Sequence, residues 1–268
     1  MKPNIPAPPE RTNWTPFTRR VLLPPIILMA VTLVGIIAHG TQRPSPGRPK
    51  LNNNVLYIGD SLSVGAFGQV LYDYLVSNFG RRNVAVYATC GSSPEHWLEA
   101  EPTFYSKCGF REHALGRDVV IQSGRHATPK LEQLISRHHP TLVIVQLGTN
   151  WMDRLMTGDS PEKEAELKSI LDRFISTARS QAHVKIIWIA PPDSARYSQK
   201  VQHVVESLVR SATSRDDFDM INSRDITHYV PGKTGRDGVH YSPEASTEWG
   251  NRIVRRLRFR YGWESVAY

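Results

Sequence analysis

An α/β domain built on a parallel sheet is what this sequence predicts, and three observations predict it. From residue 51 onward, short β-branched runs alternate with helix-length amphipathic stretches. The runs are apolar along their whole length, as strands covered on both faces are. Glycine-bearing polar clusters follow three of them, at Gly59-Asp60-Ser61, Cys90-Gly91-Ser92 and Gly148-Thr149-Asn150.

The elements follow in order. Val55–Ile58 reads as the first strand, running into a helix over Val64–Phe79 with Val70, Leu71, Tyr74 and Leu75 on one face and Gly80 ending it. Val84–Ala88 is the next strand. Ser92–Thr128 is long and irregular, with no clear period. Thr128-Pro129 opens a helix to His138, ahead of a buried strand from Leu142 whose carboxyl end turns at Gly148. Ser160-Pro161-Glu162 starts a long helix to about Gln181, with Leu167, Ile170, Leu171 and Phe174 spaced for burial. A strand over Val184–Ala190, a helix over Val201–Ala212 and a short strand over Phe218–Asn222 come next. Ser242-Pro243 then opens the last helix as N-cap and first helical residue. Strand–helix alternation of this kind implies right-handed crossovers in one sheet, in a domain over 51–268 large enough for its own core.

The polar clusters carry the chemistry. A serine where a strand meets a helix can expose its hydroxyl while its own N–H sits at the positive end of the helix, which suits attack on an ester carbonyl. Asp237-Gly238-Val239-His240 supplies the partners such a serine needs: a base, and a carboxylate three residues earlier that can curl back onto the imidazole. Asn150, just past the carboxyl end of a strand, can aim its amide at an oxyanion. Gly91 can offer a backbone N–H where a Cβ would crowd a substrate. Taken singly, each cluster also reads as an ordinary turn or cap.

Together, the Ser61, Gly91, Asn150 and Asp237-x-x-His240 blocks resemble the SGNH branch of the GDSL hydrolase family, over roughly residues 51–262. The resemblance implies a flavodoxin-like three-layer α/β/α sandwich with a central parallel sheet and no metal or cofactor. It also implies Ser61 as nucleophile, His240 as base and acid, and Asp237 as its orienting partner. The implied oxyanion donors are the Ser61 and Gly91 N–H groups and the Asn150 side chain. Two departures stand out: a cysteine precedes Gly91, and the Ser92–Thr128 stretch is irregular. The other common serine-hydrolase signature, Gly-x-Ser-x-Gly, is excluded because the block ends in Ser63, which reads as a first-turn capping residue.

Residues 1–20 form a polar, proline-rich tail. Residues 21–40 contain an eighteen-residue uncharged stretch, Val21 to Ala38, and residues 41–50 form a basic linker. The length favours a single-pass membrane anchor with the catalytic domain outside the cytoplasm; a cleaved signal leading to a secreted or periplasmic protein is the alternative. Seven of the 33 basic residues but one of the 25 acidic ones lie in residues 1–50. The remainder is nearly balanced, so the high pI gives no case for nucleic-acid binding. Export would place Cys90 and Cys108 in an oxidising compartment, and a disulfide between them is expected, two buried thiols being the alternative. Trp97 and Trp151 lie beside the proposed loops, able either to stack on sugar rings or to pack the core. The reading is an exported serine esterase acting on O-acyl, chiefly O-acetyl, groups of a small molecule or polysaccharide. A lipid or thioester hydrolase, an O-acyltransferase and a non-catalytic glycan-binding domain are the alternatives.

Overall fold

The apolar run that begins at Val55 becomes the middle of a seven-stranded sheet. The computed structural model describes residues 54–263 apart from Asp159 and residues 181–183. In chain order the elements are β1 (Val55–Gly59), α1 (Ser61–Val64), α2 (Ala66–Phe79), β2 (Val84–Thr89), β3 (Tyr105–Ser106), β4 (Phe110–Ala114), β5 (Arg117–Ile121) and β6 (His126–Ala127). There follow α3 (Leu131–His138), β7 (Leu142–Gln146), α4 (Thr149–Met156), α5 (Pro161–Ala178), β8 (Lys185–Ile189), α6 (Gln199–Ser211), β9 (Phe218–Ile221) and α7 (Pro243–Tyr261). The tail, apolar segment and linker expected over 1–20, 21–40 and 41–50 lie outside the described residues. Among the described residues no helix is long and apolar enough to cross a membrane.

The sheet order is β5-β4-β2-β1-β7-β8-β9. The five strands from β2 to β9 in that order are mutually parallel, and numbered among themselves they run 2-1-3-4-5, the flavodoxin order. Gly59 pairs with Ala88 on one side and Gln146 on the other, so the chains leaving β1, β2 and β7 emerge at one level. In a doubly wound sheet that edge, at the β1/β7 switch point, is where ligands sit.

Helices cover both faces. On one, Phe67, Leu71 and Leu75 of α2 pack with Trp249, Ile253 and Leu257 of α7, and the Phe67 and Trp249 rings stack at 3.6 Å. On the other, α3, α4, α5 and α6 bury Leu134, Trp151, Leu171, Phe174 and Val205 against the inward side chains of β1, β7 and β8. Three layers result, as the family resemblance implied.

Three local expectations are corrected. The helix expected from Val64 begins at Ser61 and breaks at Gly65, where the buried Arg111 guanidinium binds the Val64 and Gly65 carbonyls and so ends α1 with satisfied acceptors. The irregular 92–128 stretch contains the hairpin β4–β5, which adds antiparallel to the free edge of β2, so the sheet is mixed. Its two-residue turn is Leu115-Gly116, both at positive φ, and leucine there gives none of the usual Asn-Gly or Asp-Gly signal. The polar outer strand β5 also lacks apolar alternation. Finally, Gly148-Thr149-Asn150 is the start of a helix, α4, rather than a turn alone.

Candidate active site

Asp60 and Ser61 begin the site. Asp60 caps α1: its Oδ1 accepts the Leu62 N–H at 3.0 Å and its main-chain N–H donates to the Gln146 carbonyl at 3.2 Å. Ser61 is therefore the first residue of a helix pinned to the end of β7, with its N–H among the orphan donors of that helix start. Ser63, expected as a capping residue, does not cap. Its hydroxyl is buried, accepts from the Tyr57 hydroxyl at 2.6 Å and donates to Gln146 Oε1 at 2.6 Å.

The Asp237–His240 loop reaches the same place. His240 Nε2 lies 2.9 Å from Ser61 Oγ, and His240 Nδ1 lies 2.6 Å from Asp237 Oδ2. With Nδ1–H donating to the carboxylate, Nε2 is left as the acceptor for the serine proton. Asp237 Oδ1 also accepts the Val239 and His240 main-chain N–H groups, at 2.9 and 2.7 Å. Burial of Asp237, the largest influence, raises its pKa, but the hydrogen bonds from the His240 ring and from those two N–H groups outweigh it and hold the carboxyl at about 2. Gly238 makes the tight curl possible. Its φ is +84°, and a Cβ there would lie 2.9 Å from the Arg196 nitrogen, while its carbonyl accepts the Ala195 N–H and the Ser194 hydroxyl.

The Gly91 and Asn150 loops are bound to one another. Asn150 Nδ2 donates to the Ser92 carbonyl at 2.8 Å with one N–H, and the amide carries a second that can meet an oxyanion. Gly91 has φ of +80° and follows Cys90, which is disulfide-bonded to Cys108 and donates its N–H to the Gly109 carbonyl at 3.0 Å. The bridge thus fastens the Gly91 loop to the start of the β4–β5 hairpin. Replacing both cysteines by serine should cost about 3 kcal/mol of stability in the chain-entropy account, read as a lower urea midpoint. An unchanged midpoint would show that hairpin packing alone holds the loop.

The two tryptophans are elsewhere. Trp97 and Trp151 are both 0% exposed, so their rings pack the core and present no face to a sugar. Their indole nitrogens serve the loops instead: Trp97 Nε1 donates to Ser92 Oγ, and Trp151 Nε1 to Glu95 Oε2 at 2.8 Å. The ring that does lie against Gly91 is Phe104, stacked on His96 at 4.0 Å. It sits in the irregular stretch and carried no signal in the sequence. Among the described residues no group of three or more His, Cys, Asp and Glu is arranged to hold a metal ion.

A serine and a base within hydrogen-bond reach, with a carboxylate behind the base, are what acyl transfer through a serine requires. The family profile of GDSL-like lipase/acylhydrolase matches residues 55–253, which take in all four blocks. The chain belongs to the GDSL-like lipase/acylhydrolase family. As a member it is a hydrolase acting on ester bonds. It is 26% identical over 218 residues to Protein BcsX of Komagataeibacter xylinus, covering 75% of each chain. Its fold is similar to that of a carbohydrate acetylesterase family member from Sinorhizobium meliloti, with a TM-score of 0.50 and 17% identity over 76% of this chain and 98% of that one. A protein assigned as an arylesterase, from Agrobacterium tumefaciens, gives a TM-score of 0.50 at 18% identity over 76% and 98% of the two chains. At these identities the structural likeness speaks for the fold alone.

Proposed function

We propose that this GDSL-family hydrolase is an exported serine esterase that removes O-acyl, chiefly O-acetyl, groups from cell-wall or other polysaccharide through an acyl-enzyme. The observation that carries the chemistry is the continuous relay from Ser61 Oγ to His240 Nε2 at 2.9 Å and from His240 Nδ1 to Asp237 Oδ2 at 2.6 Å. His240 takes the Ser61 proton as Oγ attacks the ester carbonyl. The oxyanion that forms is met by the Ser61 and Gly91 N–H groups and the Asn150 amide. His240 then protonates the leaving alkoxide, and water, activated by the same imidazole, releases the acid.

The substrate reading rests on openness. The side chains of His240 and Asp237 are 52% and 51% exposed, so an acyl group carried on a bulky alcohol can reach the serine. A long-chain lipid would gain most from a deep apolar channel, and the large aromatics Trp97 and Trp151 are committed to the core. Export is supported by the Cys90–Cys108 disulfide, a bond that persists in oxidising compartments, and by the uncharged Val21–Ala38 segment, read as a membrane anchor.

The test is a series of p-nitrophenyl esters followed by acetate release from O-acetylated glycans. We expect kcat/KM to be greatest for acetate and to fall with chain length, and we expect free acetate from the glycan. Rates that climb to octanoate and beyond would overturn the acetyl preference in favour of a lipid or thioester substrate. Acetylated sugar product without free acetate would instead identify an acyltransferase.

A further inference from the structure

The residue before the nucleophile carries a carboxylate that the relay does not use. Asp60 is 0% exposed and lies under Ser61. Its Oδ1 is taken by the Leu62 N–H. Among the described residues its Oδ2 is buried without a closed hydrogen bond, and so are Gln146 Nε2 and Thr149 Oγ1. The Gln146 amide has a fixed sense. Tyr57 donates to Ser63, Ser63 must therefore donate to Gln146 Oε1, and Nε2 is left as a donor on the other side. Both Gln146 and Thr149 act on Asp60 to favour its charged form. Three orphaned polar atoms thus share one buried place, between the residue preceding Ser61 and the residue preceding Asn150.

We propose that Asp60 is a positioning residue that keeps the nucleophile in register with the oxyanion donor. Its Oδ1 fixes the turn that carries Ser61, and its Oδ2 faces the Gln146–Thr149 junction that starts the Asn150 helix. This rests on the reading of Ser61 and Asn150 given above. A displacement of either loop by a fraction of an ångström would separate attack from oxyanion capture, and the loss would fall on kcat. The grip depends on charge, since the carboxylate holds the Leu62 N–H on Oδ1 and still offers Oδ2 as an acceptor to the Gln146 and Thr149 donors. Burial, opposed by the Leu62 N–H, Thr149, His240 and Gln146, raises the Asp60 pKa to about 6. The titratable groups facing it are Tyr57 of β1 and His240 of the loop before α7, with Arg111 of β4 behind Tyr57; β7 and α4 present the neutral Gln146 and Thr149.

The experiment is a double-mutant cycle on the full chain with p-nitrophenyl acetate. Asp60→Asn should lower kcat by about tenfold or more with KM nearly unmoved, because an amide nitrogen would then face the Gln146 and Thr149 donors. Thr149→Val should lower kcat by roughly fivefold, and the double variant should be no slower than Asp60→Asn, since both remove one coupling. The fall of kcat through about pH 6 to which protonation of Asp60 contributes should become less steep in Asp60→Asn. Tm at pH 8 is measured alongside, so that the loss of kcat is read on folded protein. A kcat for Asp60→Asn within threefold of wild type, an unaltered acid limb, or losses that multiply in the double variant would overturn the proposal. Should Asp60→Asn not fold, Thr149→Val alone must still lower kcat without moving KM. Fluorophosphonate labelling of the wild type at Ser61 reads the nucleophile separately. Its failure would sink the esterase reading itself, whereas a labelled enzyme indifferent to Asp60 sinks only this coupling.

Discussion

Ser61→Ala should lower kcat on p-nitrophenyl acetate by about 10⁵–10⁶-fold and abolish covalent labelling by a fluorophosphonate, with the fold intact. The size follows from what the hydroxyl does. It is the attacking atom, and without it His240 can only activate water toward an ester held by the oxyanion donors. The fold should survive because, among the described residues, Ser61 Oγ bonds only to His240 Nε2, while α1 is capped by Asp60 and tied to β7 through the Gln146 carbonyl. Tm and kcat are therefore read together: a loss of activity at unchanged Tm places the effect in chemistry. Undiminished labelling of the variant would assign the nucleophile to another residue. His240→Ala should behave alike, since a serine without its base is as silent as a base without its serine.

The four candidate blocks were legible because each is local. Asp237 reaches His240 across one tight curl, and Ser61, Gly91 and Asn150 each follow a strand end, so sequence spacing alone brought the right residue types to the edge of one sheet. The parallel sheet was legible for a similar reason: strands buried on both faces, such as Leu142–Gln146, write themselves as unbroken apolar runs. What escaped depends on partners far away in the chain. The β4–β5 hairpin has a polar outer strand and a Leu-Gly turn, and its pairing with β2 shows only in three dimensions. Ser63 looked like a cap because its neighbours are turn residues, yet its hydroxyl is claimed by Tyr57 and by Gln146, 83 positions on. Trp97 and Trp151 were ambiguous for the same reason, because an indole near a catalytic block in sequence faces either the pocket or the core. Burial of both rings decides for the core. Asp60, read only as the middle of a motif, gains its interest from burial, which no local pattern reports.

Asp237→Asn carries the other large effect, expected at about 10⁴-fold in kcat if the relay works as in other Ser-His-Asp sets. The amide can keep its oxygen on the Val239 and His240 N–H groups, which preserves the loop, but its nitrogen then faces His240 Nδ1 as a donor. The imidazole answers by moving its proton to Nε2, and a donor now points at Ser61 Oγ where an acceptor is needed. Stability should respond much less. A carboxyl held at about 2 is below its usual value, so its contribution is present above the ordinary aspartate range and lost as pH falls toward 2. The side chain is 51% exposed, and solvent screens most of that contribution. The same depression keeps Asp237 charged throughout the working range, so its titration does not shape the rate profile there. The measurement is kcat and Tm for Asp237→Asn at pH 8, with Asp237→Glu as the conservative partner that restores an acceptor. A kcat within tenfold of wild type would show that His240 keeps its working tautomer without the carboxylate, and would remove Asp237 from the mechanism.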